Sequence, residues 1–515
     1  MKHARKLAGI LLAMVMALAL ALPAFADETA NDNGSTNTSN TVEISAPAGS
    51  TRTYDVYQIF TGTLSENKVL SDVKWGRNAK LPEGTVVGDT VSDTVLKSLT
   101  DVNNSSDTEK LAVIEDYVDF DSQAIGTVSK EKSLFVVTGY YLIKDNGPLN
   151  DGEAYSLYVV QIVGPTTISP KVGTVTSEKK IKDINDTTDS AATGWQDSAD
   201  YDIGDKIPFQ LKGVVADDYA NYTTYYFAFH DVEERGLTFD SGSVKVYVDG
   251  NQITTGYEVV LATNMDEEGK NKISDGCTFE VIFNNLKEIQ AVHAGSEITV
   301  EYESTLNEHA NVGDQGNVNK AKLEYSNNPN NHQVGKHETG ETPWDNVIVF
   351  TYKVVINKVD GENKALTGAE FTLTKELKDG TEKNIAVVKS DNGTKFSFSG
   401  LDDGKYTLTE TKTPDGYNTI SPITFTVNAD HTISWDGTNR NAVLTNLTGN
   451  KVTGEITFTP DKANGSLTAD VVNNAGSTLP STGGIGTTIF YVVGSILVLA
   501  AVVLLITKKR MSEDK

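Results

Sequence analysis

Apolar and polar positions alternate along most of this chain with the two-residue period of a half-buried strand. Runs of this kind cover 52–60 and 154–162, then 206–211, 225–231, 243–248 and 297–302, and further on 353–360 and 468–474. Residues 107–117 break the period: Leu111, Ile114 and Tyr117 share one face of a short helix. Pro208 has no N–H to give a ladder, so its run is an edge strand or a strand start. Short strands with turn residues between them and little sustained helical pattern predict an all-β protein. The expected architecture is three tandem Ig-like β-sandwich domains in an elongated array.

Two unbroken apolar runs depart from this pattern. Lys2, Arg5 and Lys6 precede the first, which is followed by Ala24-Phe25-Ala26, the outline of a secretory signal peptide over 1–26. The second spans 485–507 without a charge, long enough for a helix to cross a ~30 Å hydrocarbon core. Lys508-Lys509-Arg510 follows and places that end on the cytoplasmic side. Between these ends the reading divides the chain into a disordered lead-in over 27–45, richest in Asn, Thr and Ser up to Asn40, and three blocks over 46–172, 173–352 and 353–475. Residues 476–515 form the C-terminal signal.

Composition narrows the classes. With 70 acidic and 44 basic side chains the formal charge is −26, which disfavours nucleic acid or anionic lipid as a partner. There is one cysteine, Cys277, so an exported chain of 515 residues has no internal disulfide. Cys277 lies in a strand-like pattern and reads as core. HExxH, GxSxG and P-loop motifs are absent, and Met265–Gly269 is acidic but lacks EF-hand spacing. The chain is therefore expected not to be an enzyme, and to carry no cofactor and no metal.

Leu479-Pro480-Ser481-Thr482-Gly483, the apolar run and the basic tail, in that order, resemble the cell-wall sorting signal of Gram-positive bacteria. The resemblance implies cleavage by a sortase between Thr482 and Gly483. Lys358 opens a second match: Asn357–Asp360, Leu366–Leu373 and Tyr406–Tyr417 (YTLTETKTPDGY) resemble a collagen-adhesin B-type Ig-like domain. Trp195–Asp205 and Leu323–Pro329 resemble the isopeptide-forming middle domain of backbone pilins. Taken together, the chain resembles the major, shaft-forming pilin of a sortase-assembled pilus. That resemblance implies other copies of itself, a pilin-specific sortase, a housekeeping sortase with peptidoglycan, and minor or tip pilins as partners, with transient insertion in the membrane. It places the product on the cell surface, attached to the wall. A wall-anchored adhesin or minor pilin binding a host matrix protein is the alternative.

The same resemblance implies lysine chemistry of two kinds. Lys171, in Ser169-Pro170-Lys171, occupies the position of the family's YPK-type pilin motif, with Ser169 where tyrosine is common, and would attack the Thr482 acyl group of another subunit. Lys179, Lys180 and Lys182 lie close by. Internally, a buried lysine would attack a buried asparagine amide with an acid assisting. All three groups must then face the core, which alternation tests. Val354, Ile356 and Lys358 share parity, as do Tyr406, Leu408 and Glu410, and Leu467, Ala469, Val471 and Asn473. These give Lys358–Asn473 with Glu410. In the middle block, Phe227, Phe229 and Asp231, then Leu323, Tyr325 and Asn327, and Lys179 with Ile181 give Lys179–Asn327 with Asp231. Lys180 and Lys182 have the opposite parity, and a slip in register would exchange them. The first block shows no comparable trio.

Overall fold

The structure, a computed structural model, describes residues 41–64, 69–162, 166–170, 173–187, 192–263, 273, 275–476 and 485–513. Lys171, the pentapeptide Leu479–Gly483, the signal peptide, the acidic segment at 265–269 and the lead-in up to residue 40 lie outside the described residues.

The described strands make six sheets, two for each stretch of chain. In the first stretch Tyr54–Leu64 pairs with Leu70–Trp75 and Gly139–Asp145, Gly139–Asp145 pairs in turn with Val159–Ile162, and a small sheet joins Thr41–Ser45 to Leu134–Val137 and Thr166–Thr167. Residues 41–45 are thus a strand rather than lead-in, because Ile44 fills a core with Tyr54, Val56 and Tyr141. The helix expected over 107–117 spans Asp107–Glu115, opened by a Ser106–Glu109 capping box and burying Leu111 and Ile114. A second helix, Asp93–Asp101, buries no residue fully, but its stripe of Val95, Leu96 and Leu99 packs half-buried against the first core. Only Val159–Ile162 of the run 154–162 is strand. Upstream, the N–H groups of Tyr155, Ser156 and Tyr158 donate to Asn327 O, Asp145 Oδ2 and Asn330 Oδ1, so no ladder can form.

The middle stretch is a sandwich. One sheet of five strands holds Thr176–Ile181 at its edge, then Lys206–Val214 and Glu297–Leu306; the other, of seven, holds Phe227–Glu233 between Phe279–Phe283 and Asn317–Ser326. Pro208 is the third residue of Lys206–Val214, an inner strand rather than an edge: it sits opposite Glu303, and pairing with Thr176–Ile181 begins one residue later, at Phe209 opposite Ile181. Phe209, Phe227, Phe279, Phe283 and Tyr302 lie in the core between the sheets.

The third stretch places Tyr352–Asp360 beside Ser466–Asn473, parallel, facing a second sheet that contains Glu370–Glu376 and Gly404–Lys412. Asp345–Phe350 serves two cores at once. Val347 and Val349 point into the middle core, and Ile348 and Phe350 into the third. Period-two alternation with both faces apolar makes this possible. An ion-pair cluster ties the same two stretches together. Lys375 is fully buried, 3.0 Å from Asp202, 3.2 Å from Asp402 and 2.5 Å from Asp186. Burial works against its charge, but the three carboxylates outweigh it and hold its pKa above the ordinary lysine value. Beyond these sheets, Ile485–Glu513 is one helix, whose segment Thr488–Arg510 is long and apolar enough to span a membrane.

Candidate functional site

In the third stretch the residues picked by alternation meet. Lys358 and Asn473 lie on adjacent parallel strands, with Lys358 opposite Val471 and Asn473 two residues on, facing the same core. Glu410 reaches them from the opposing sheet, and both its oxygens accept from Asn473 Nδ2, at 2.9 and 3.0 Å. Lys358 and Asn473 are fully buried and Glu410 nearly so. The Lys358 ammonium donates to the carbonyls of Val471 and Val359, at 2.9 and 3.0 Å. Burial lowers its pKa to about 8, with Glu410 and Asp360 opposing the fall. Asn473 Oδ1 is buried without a hydrogen-bond partner, and Asn474 faces outward.

In the middle stretch Lys179 is the inward lysine. Lys180 instead pairs with Asp197 at 2.6 Å, and Lys182 lies over the Trp195 ring. Lys179 Nζ is 2.5 Å from Asp231 Oδ2 and 2.6 Å from the Tyr302 hydroxyl, and all three side chains are buried in the core. The Tyr302 hydroxyl donates to Asp231 Oδ2 at 2.9 Å. Burial pulls the Lys179 amine below its ordinary pKa, against the pull of Asp231, and pushes the Asp231 carboxyl up.

Asn327 is not brought to this lysine. It lies just past the end of the Asn317–Ser326 strand, where its carbonyl accepts from Tyr155 N. The asparagine beside the pair is Asn319, eight residues earlier and about 26 Å away along a strand. Its Nδ2 donates to the Tyr302 hydroxyl at 2.9 Å, it is fully buried, and its Oδ1 has no partner. Register explains the difference: Asp231 pairs with Ala321 and Glu233 with Asn319, so Asp231 and Asn319 are diagonal neighbours on the inner face. Glu233 is a further member, bonded to Ser304 and raised to about 8 by burial and the Asp231 charge. Parity alone allowed Asn319, which shares it with Leu323 and Tyr325. The choice between positions eight apart needed the cross-strand register, which local sequence does not carry. Tyr302 and Glu233 gave no signal beyond strand parity.

Three family models match the chain. Gram-positive pilin backbone subunit 2, Cna-B-like domain, covers 203–329; a prealbumin-like fold domain covers 352–441; the LPXTG cell wall anchor motif covers 471–513. The chain carries the domains of a Gram-positive backbone pilin and its wall anchor. Among curated relatives, this pilin is 25% identical over 385 residues to the trypsin-resistant surface T6 protein of Streptococcus pyogenes serotype M6, covering 64% of this chain and 68% of that one. Among solved structures it resembles the T6 backbone pilin of the same serotype, with a TM-score of 0.50 at 17% identity, over 85% of this chain and 98% of that one. The full-length major pilin SpaD of Corynebacterium diphtheriae overlays with a TM-score of 0.46 at 14% identity, over 86% and 99% of the two chains. The first of these structural likenesses supports the fold. The pilin is a cell-wall-anchored surface protein of the pilus-forming kind, and its apolar C-terminal helix fits the sorting signal.

Proposed function

We propose that the pilin is the repeating shaft subunit of a covalent pilus, joined head to tail by a sortase. The enzyme would cut between Thr482 and Gly483, hold the Thr482 carbonyl as a thioester, and pass it to the Lys171 amine of the next copy. Copies at the base would be passed to peptidoglycan by the housekeeping sortase, and minor pilins would occupy the tip. On this reading the N-terminal, middle and C-terminal domains run to about residues 172, 352 and 475.

Within each copy, Lys179 would form an amide with Asn319, assisted by Asp231, and Lys358 with Asn473, assisted by Glu410. Each amine attacks the amide carbon, the C–N bond to the side-chain nitrogen breaks, and ammonia leaves. No enzyme is needed, because burial lowers the pKa of the Lys179 and Lys358 amines and raises that of the Asp231 carboxyl. The acid can then donate to the amide oxygen and polarise it. The observation that carries this reading is the repeated pairing of a buried lysine with a buried acid and an asparagine whose Oδ1 lacks a donor. Pulling force entering at Lys171 would cross from Lys179 to Asn319 and from Lys358 to Asn473, so residues 180–318 and 359–472 would bear little of it.

Replacing Lys171 by Ala and running SDS-resistant wall extracts on a gel tests the shaft assignment. Loss of the high-molecular-weight ladder, with monomer still anchored, is expected. A ladder that persists overturns the role of Lys171, and an unpolymerised wild type favours the adhesin reading.

A further inference from the structure

His230 and Asp231 are neighbours on one strand and face opposite ways. Asp231 points into the sandwich. His230 points to the outer face of the seven-stranded sheet and is buried there too, near a small apolar cluster of Val260, Ile273 and Cys277. Glu280 is its cross-strand partner, and Asp275 and Cys277 come from the turn leading into the Phe279–Phe283 strand.

Three acceptors converge on a single ring nitrogen. Asp275 Oδ2 lies 2.9 Å from His230 Nδ1, Glu280 Oε1 3.0 Å and Cys277 Sγ 3.7 Å. One N–H satisfies one acceptor well, so hydrogen bonding does not account for the gathering. The four ligand atoms all lie within 4.8 Å of one another. A tetrahedral Zn²⁺ with bonds of about 2.0–2.3 Å holds its ligand atoms roughly 3.3–3.7 Å apart, close to the spacing here. On the far side of the ring, His230 Nε2 meets Glu324 Oε2 at 3.0 Å, and Glu324 is fixed by Lys336 at 2.8 Å and Thr339 at 2.6 Å. A held carboxylate behind an imidazole is the arrangement that orients metal-ligating histidines. Asp275 Oδ1 accepts from Cys277 N at 3.1 Å, which stiffens the turn, and the Asp275 side chain is 35% exposed, leaving a route from solvent.

We propose that His230, Asp275, Cys277 and Glu280 bind a zinc-type divalent transition metal, with Glu324 as the positioning residue behind the histidine. The ion clamps the Asp275–Cys277 turn onto the outer face of the sheet, in place of the metal-free chain assumed from composition. The donor set of one nitrogen, one sulfur and two carboxylates suits Zn²⁺ and Co²⁺ better than the hard, all-oxygen cations.

The test titrates the purified whole protein with Co²⁺ alone and then displaces it with Zn²⁺. One equivalent is expected to give the intense visible bands of tetrahedral Co²⁺ and a sulfur-to-cobalt charge-transfer band in the near ultraviolet. Cys277→Ser should abolish the charge-transfer band with an unchanged far-ultraviolet dichroism spectrum. Glu324→Gln, which removes no ligand, should weaken binding about 10- to 100-fold. No stoichiometric band, or a charge-transfer band that survives Cys277→Ser, overturns the site and leaves His230 as an ion-pair anchor for the turn.

Discussion

Lys179 Nζ and Asp231 Oδ2 lie 2.5 Å apart with both side chains wholly screened from solvent. Keeping both groups charged there costs several kcal/mol of lost hydration per ion, so the pair is poised to pass its proton and become amine and acid. Asn319, whose Nδ2 donates to the same Tyr302 hydroxyl that accepts from Lys179, is the proposed electrophile. The intact mature chain should therefore weigh about 34 Da less than its composition, two ammonia molecules. Asn319→Ala should restore about half of that deficit and Asn327→Ala none of it. Mass spectrometry decides, and an unchanged deficit in Asn319→Ala would falsify the assignment.

Asp231→Asn keeps the shape of the acid but cannot be a proton donor of the required kind. It should leave Lys179 and Asn319 unlinked while Lys358 and Asn473 still join, so the variant shows one ammonia loss. Without the link the unfolded chain regains the freedom of a loop of roughly 140 residues, about 5 kcal/mol by the loop-closure argument used for disulfides. The middle transition in calorimetry should fall by about 10–20 °C. Glu410→Gln should produce the mirror result in the third domain.

Removing Asn473 exposes a pH dependence that the wild type lacks. In Asn473→Ala, Lys358 stays a free amine whose folded pKa is lowered to about 8 by burial, against the charges of Glu410 and Asp360. The folded state then binds fewer protons than the unfolded state between about pH 8 and 10.4, so stability rises with pH across that window. Below about pH 8 both states are protonated and the penalty is fully present. Denaturant titrations at pH 7 and 9.5 should show the variant gaining on the wild type, in which the proposed amide at Lys358 would leave nothing to titrate. A gap that stays constant rejects the cross-link.

Lys375→Met tests the junction between the middle and third domains. Its ammonium neutralises Asp186, Asp202 and Asp402, so its removal leaves buried carboxylates with less compensation. Breaking such a network costs about 3–5 kcal/mol. The two domains should then melt in separate transitions, and a single unshifted transition would show that the network adds no coupling.

Strand alternation was enough to turn Lys358, Glu410 and Asn473 inward, because each extends an apolar run of its own strand and Lys358 and Asn473 lie on adjacent strands. It was enough for Lys179 and Asp231 as well. It could not choose Asn319 over Asn327, since parity repeats every two residues and the answer lay in how Phe227–Glu233 registers against Asn317–Ser326. The helix Asp93–Asp101 was missed for another reason: its stripe of Val95, Leu96 and Leu99 packs against the first core, but nine residues give fewer than three turns, too short a run to declare its period. His230 and Cys277 are 47 residues apart in the chain, and the long-range antiparallel pairing of Phe227–Glu233 with Phe279–Phe283 brings them together.

The strand Asp345–Phe350 gives Val347 and Val349 to one core and Ile348 and Phe350 to the next. A segment that is mortar for two walls cannot act as a hinge. Swivelling one domain against the other would tear apolar side chains out of one interior or the other, a cost that thermal agitation does not meet. Twist applied to the middle domain must therefore arrive at the third undiminished, and the suppleness of a fibre built from this chain has to reside in other joints.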